Sequence, residues 1–143
     1  MIRVGSAIIN DNKILLAQHS KKGEKYYVLP GGHVENNETP EIAAIREVKE
    51  ECNLDVKIIK KLAKGIFKKQ NQVEFFFLCE FLGGQLSNMH DPDKKYERIT
   101  SLDWVDISKF GDYDARPKEF FLWFIKNSKN IENIKEIKDL GEY

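Results

Sequence analysis

The sequence predicts one α+β domain, and three observations carry that expectation. Short β-prone runs recur along the 143 residues, a segment of helical spacing interrupts them at Thr39, and no linker, repeat or low-complexity stretch divides the chain. About one domain is the prior at this length, and folding can bury roughly two-thirds of the unfolded surface.

The elements follow in order. Val4 to Ile9 and Lys13 to Gln18 read as strands around Asn10-Asp11-Asn12, a turn of Asn and Asp type. Ser20 to Lys25 is polar and reads as a loop. Tyr26 to Leu29 is a third β-prone run, stopped by Pro30-Gly31-Gly32. Thr39 is a good helix cap, Pro40 then occupies the first helical position, and Glu41 suits the positive helix end. Ile42, Ile45, Val48 and Cys52 recur at three and four residues as one apolar stripe, and Asn53 can take the left-handed conformation that ends a helix. Val56 to Phe67 reads as one long strand or two short ones, decorated with lysine. Val73 to Leu82 is the strongest β run, and its apolar continuity predicts a central strand covered on both faces. Met89 to Arg98, with Pro92, reads as a loop, and Ile99 to Val105 as a strand. From Pro117 onward Phe120, Phe121, Trp123 and Phe124 predict a buried helix, while residues 131–143 read as a peripheral surface helix or tail.

Composition excludes several classes. The 23 basic and 23 acidic residues cancel, which argues against a nucleic-acid polymer as partner but leaves small phosphorylated ligands open. Two cysteines, Cys52 and Cys79, are too few for a disulfide framework and lack metal-ligand spacing. No secretory signal is visible, and no run approaches the ~20 apolar residues of a membrane span, so the cytoplasm is the expected compartment.

The informative segment is the helix after Thr39. At ~100° per residue, Glu47, Glu50 and Glu51 fall on one face, with the apolar stripe expected opposite. Their like charges repel, and they crowd the helix end where the backbone dipole disfavours anions. Two readings account for this. One is a solvated face partly neutralised by Arg46 and Lys49; the other is a site for a hard divalent cation such as Mg²⁺, which prefers carboxylate oxygens.

The wider pattern favours the second reading. Gly32, five residues, Glu38, seven residues, then Arg46-Glu47-Val48-Lys49-Glu50-Glu51-Cys52-Asn53-Leu54 resembles the signature of the Nudix hydrolases, departing only at Asn53, where that family has Gly. Leu29-Pro30-Gly31-Gly32 and Leu102-Asp103-Trp104-Val105 are similar to the family as well. The resemblance implies an α/β/α sandwich, a mixed sheet between helices, with the motif as a loop–helix–loop. It implies hydrolysis of a nucleoside diphosphate linked to a further group, using Mg²⁺ or Mn²⁺. Glu47, Glu50 and Glu51 would be metal ligands, one of them also taking a proton from water. Arg46 would hold Glu47, and Glu38 would be structural or in the outer metal site. Gly31 and Gly32 would let backbone approach metal or phosphate, with His33 beside them. Glu97 is the expected additional loop carboxylate, with Asp91 and Asp93 competing, and Tyr96 could stack on a base. The favoured substrate is a nucleoside triphosphate, including oxidised ones, because the chain is short; ADP-ribose or another nucleotide sugar is the alternative. A catalytically silent module that senses a nucleotide or docks a protein is the competing class, although every glutamate of the motif is retained. A monomer or a homodimer fits this reading.

Overall fold

Turn chemistry sets the first strands. In a computed structural model, which describes residues 1–87 and 99–143, β1 (Ile2–Asn10) and β2 (Lys13–Lys21) are joined by Asp11 and Asn12 at φ 49° and 61°. Two residues with positive φ give the twist that antiparallel strands need. Ser20 to Lys25, expected as a loop, is instead the tip of a second hairpin. Lys22 and Gly23, at φ 52° and 78°, turn the chain into β3 (Glu24–Val28), and Lys21 pairs with Glu24 of opposite charge.

The remaining elements are β4 (Gly31–His33), α1 (Pro40–Cys52), β5 (Leu54–Phe67), β6 (Gln72–Gly84), β7 (Ile99–Asp106), α2 (Lys118–Asn127) and β8 (Lys138–Glu142), with short 3₁₀ segments after β5, β7 and α2. The sheet is mixed. β6 lies between β1, which it meets in parallel, and β5, which it meets antiparallel. β1 divides its other edge: Arg3 to Gly5 pair with β4, while Ile9 and Asn10 pair with β2. The sheet therefore parts between β1 and β2, and Leu29-Pro30 carries the chain across the gap from β3 to β4.

Strand alternation then builds two cores. Phe76 and Leu78 face one side with Ala7, Ile14, Leu16 and the α2 residues Phe120, Phe121 and Phe124. Phe77 and Cys79 face the other with Val4, Ile8, Leu15 and the α1 residues Ala43, Ala44, Val48 and Cys52. A helix thus covers each face of the sheet, the α/β/α arrangement expected, with β6 central and covered on both sides.

Two expectations need correction. The buried face of α1 keeps only half of the predicted stripe: Val48 and Cys52 are buried, whereas Ile42 and Ile45 are 55% and 40% exposed and Ala43, Ala44 and Glu47 are buried in their place. Small alanines let the helix axis come close to the strands, and the row Ala43-Glu47-Glu51 turns inward with the row Ala44-Val48-Cys52. Glu47 and Glu51 therefore border the core rather than oppose it, while Glu50 stays exposed. The C-terminal residues are likewise neither a surface helix nor a tail. Ser128–Asn133 is 3₁₀ and β8 adds to β5 in parallel, Ala63 opposite Lys138. Lys60 Nζ donates to the carbonyls of Glu132 and Ile134, Tyr143 N–H donates to Ile66 O at 3.0 Å, and the Tyr143 ring rests where Gly65 has no side chain. Among the described residues, no helix is long and apolar enough to cross a membrane.

Candidate active site

Both ends of α1 are fixed by local chemistry. Thr39 Oγ1 accepts from Ile42 N–H at 3.2 Å, with Pro40 next in line. At the other end Asn53 sits at φ 59°, and its backbone N–H donates to Lys49 O at 3.1 Å. Its side-chain Nδ2 also donates to Gln85 O at 3.0 Å, a bond that glycine could not make. The departure from the family motif thus keeps the left-handed turn and adds a tie to the end of β6.

Arg46 is the hub. Its Nε and Nη2 donate to the two oxygens of Glu38 at 3.0 and 2.6 Å, a bidentate fork. Nη1 donates to Glu47 Oε1 at 3.0 Å and to Glu50 Oε2 at 3.2 Å, and Nη2 also reaches His33 O at 2.9 Å. Glu35 stands 3.7 Å from the same guanidinium. Four carboxylates therefore converge on one cation. The Arg46 fork, aided by Glu35 N–H at 2.7 Å, holds the Glu38 carboxyl down to about 2, and Glu38 in turn raises the guanidinium's affinity for its proton. Glu38 is the anchor of Arg46, and Arg46 aims Glu47.

Beneath this cluster lie the two glycines of β4. A side chain on Gly32 would occupy the space of the Glu47 carboxylate, and one on Gly31 would run into Val4 O. Gly31 N–H donates to Glu51 Oε2 at 3.2 Å. Gly32 thus admits the Glu47 carboxylate, which is only 5% exposed and fills the room so made, while Gly31 lets β4 lie close against β1. Glu50 and Glu51 follow it at helical spacings of three and four residues. The donor set suits a hard cation, since it consists of carboxylate oxygens on one turn. Among the described residues, no three His, Cys, Asp or Glu side chains are gathered closely enough to hold a metal ion by themselves.

His33 is placed differently. Its partner in the ladder is Arg3, whereas Gly32 pairs with Val4, which packs beneath α1. Alternation sends the His33 side chain to the opposite face, where Nε2 lies 3.1 Å from Gln72 Nε2. Burial, then Arg3, lower its pKa. Only the His33 carbonyl belongs to the carboxylate cluster. Glu97, Tyr96, Asp91 and Asp93 lie outside the described residues. Of the lysines after α1, Lys61 sits 4.2 Å from the centre of the Phe75 ring, while Lys57, Lys64, Lys68 and Lys69 are exposed. Glu35 and Gln72 escape the sequence reading; Glu35 differs from any other loop glutamate only in its distance to Arg46, and nothing local marks Gln72.

A mixed sheet between two helices, with a carboxylate-bearing helix seated on a glycine pair, defines a Nudix-type fold. Residues 1–124 match the family model described as the NUDIX domain, and the chain belongs to that family. It is 35% identical over 106 residues to the NAD-capped RNA hydrolase NudC of Vibrio atlanticus, covering 74% of this chain and 37% of that protein. It is 35% identical over 129 residues to an ADP-ribose pyrophosphatase of Methanocaldococcus jannaschii, covering 85% of this chain and 73% of that one. The chain thus spans little more than a third of the NudC relatives it matches. An ADP-ribose pyrophosphatase from Streptococcus suis shares the fold at a TM-score of 0.70 and 20% identity, over 99% of this chain and 98% of that chain. A NUDIX hydrolase from Nitrosomonas europaea shares it at 0.77 and 21%, over 99% and 77%.

Proposed function

We propose that the protein is a divalent-cation-dependent pyrophosphohydrolase that cleaves the diphosphate of a nucleoside diphosphate joined to a further group. The observation that carries this is the seating of α1 on β4, where the missing side chain of Gly32 admits Glu47, the Gly31 N–H holds Glu51 and Arg46 fixes Glu47. Glu47, Glu50 and Glu51 would hold Mg²⁺, or Mn²⁺ in its stead, through oxygens of the kind such ions prefer. When bound, the ion supplies charge neutralisation for the diphosphate and a more acidic water. Arg46 keeps Glu47 oriented by a charge-assisted bond, so the carboxylate need not reorganise as substrate arrives. A carboxylate takes the proton released as water attacks phosphorus, either one of this cluster or Glu97, which lies outside the described residues.

ADP-ribose is the first substrate of this reading. The relative named for it aligns over most of both chains, whereas the preference for a nucleoside triphosphate rests on no residue of the site. Zero net charge still speaks for a small substrate over a polymer. The name of the NudC relatives makes NAD-capped RNA the polymer to test. A cytoplasmic setting suits the two buried free thiols, of which Cys79 is pushed up to about 12 by burial.

The test is a panel of ADP-ribose, NAD-capped RNA and ordinary and oxidised nucleoside triphosphates, with Mg²⁺. The expected result is fastest release of product from ADP-ribose, lost in Glu50→Gln. A protein inert on every compound yet binding one of them would be a sensing module instead.

A further inference from the structure

Gln72 opens β6 with 7% of its surface exposed. A buried side-chain amide is a costly choice where an apolar residue would serve, unless its bonds hold something in place. Its Nε2 lies 3.1 Å from His33 Nε2 and 3.4 Å from Met1 Sδ. Its Oε1 is buried and finds no hydrogen-bond partner among the described residues. Half of the amide's capacity is thus forgone to keep the other half on the imidazole.

What the imidazole holds is β4. That strand is three residues long and pairs only with β1 among the named strands. Its backbone carries two of the bonds that seat α1: Gly31 N–H to Glu51, and His33 O to Arg46. Both pull β4 towards the helix. On the opposite face the His33 ring reaches past the end of β1 to Gln72 on β6, the strand that anchors both cores. Burial and Arg3 favour the neutral ring against the opposing pull of the Gln72 bond, and with the proton on Nδ1 the Nε2 accepts the amide N–H.

We infer that Gln72 is a positioning residue: through His33 it fastens β4 from behind, and so fixes where Gly31, Gly32 and the helix carboxylates stand. The inference rests on the reading of α1 and β4 as the catalytic surface, and on no contact between Gln72 and substrate.

Gln72→Leu keeps the volume and removes the bond. Amide hydrogen exchange by NMR reads the strand directly, at Gly31 N–H and at Val34 N–H, which donates to Ile2 O. The variant is expected to exchange about five- to tenfold faster at these two amides, the factor set by losing one ordinary hydrogen bond, with the central residues of β1 and β6 unchanged. With ADP-ribose and Mg²⁺, kcat falls several-fold while KM stays. The reciprocal swap, His33→Gln with Gln72→His, restores a bond across the same gap and recovers both readouts. Unchanged exchange at Gly31 and Val34 overturns the inference, as does acceleration spread evenly through β1 and β6. A wild-type protein that cleaves nothing overturns the proposed function instead, and the exchange result still decides for or against Gln72.

Discussion

Replacing Gly32 with alanine would put a methyl group into the space now held by the Glu47 carboxylate. Neither neighbour can yield easily: the methyl is fixed to a paired strand, and Glu47 is 5% exposed and bound to Arg46 at 3.0 Å. The carboxylate must swing off the guanidinium, and losing a charge-assisted bond at a buried site costs about 1.5–3 kcal/mol. Activity should fall further, since a shift of ~1 Å in a catalytic group commonly costs about 100-fold in rate. Urea unfolding and Mg²⁺-dependent hydrolysis of ADP-ribose measure the two effects. A double-mutant cycle isolates their cause, because Gly32→Ala in a Glu47→Ala background meets an emptied space and should lose most of its destabilising effect. Equal destabilisation in both backgrounds would refute the reasoning, for the clash would then lie elsewhere than at Glu47.

Asn53→Gly should be close to neutral in urea unfolding, losing the bond to Gln85 but keeping the turn, whereas Asn53→Ala should lose about 1 kcal/mol or more at φ 59°. Glu38 has its pKa lowered from 4.5 to about 2, so the stability it adds is present above about 4.5 and is lost as pH falls towards 2. Glu38→Gln should therefore flatten that part of the acid-unfolding curve and leave the rest of the profile in place, as followed by circular dichroism against pH. Gly65→Ala would drive a methyl into the Tyr143 ring and crowd Leu140. Thermal unfolding should show about 1–3 kcal/mol of loss, as overpacking usually gives, and Tyr143→Ala should relieve it.

The parts of the fold legible in the sequence were those decided locally. Thr39, Pro40 and Asn53 mark the helix ends because capping and left-handed turns act over three or four residues. Burial along α1 was not legible, because periodicity counts glutamate as polar. Glu47 is buried only because Arg46 and the gap above Gly32 receive it. β8 was missed for a related reason: its partner Ala63 stands 75 residues away in sequence from Lys138, and no local pattern encodes that meeting. The motif's Glu38, Arg46, Glu47 and Glu50 meet in space, yet the face to which His33 points depends on a ladder register, and one residue's difference decides it. Substrate choice stayed beyond reach, since carboxylates suited to a metal and a diphosphate would say nothing of the group attached to it.

The alternation along β6 gives this small protein no spare part. Phe76 and Leu78 serve α2 while Phe77 and Cys79 serve α1. A slip of one residue would send each pair to the wrong helix and spoil both sides together. The two helices are thus coupled through the thickness of a single strand, and the surface that carries Glu47 cannot melt privately while the far side stays whole. A substitution under α2, such as Phe120→Ala, should therefore be felt as a loss of turnover at elevated temperature, although Phe120 lies on the other side of the sheet from every carboxylate of the cluster.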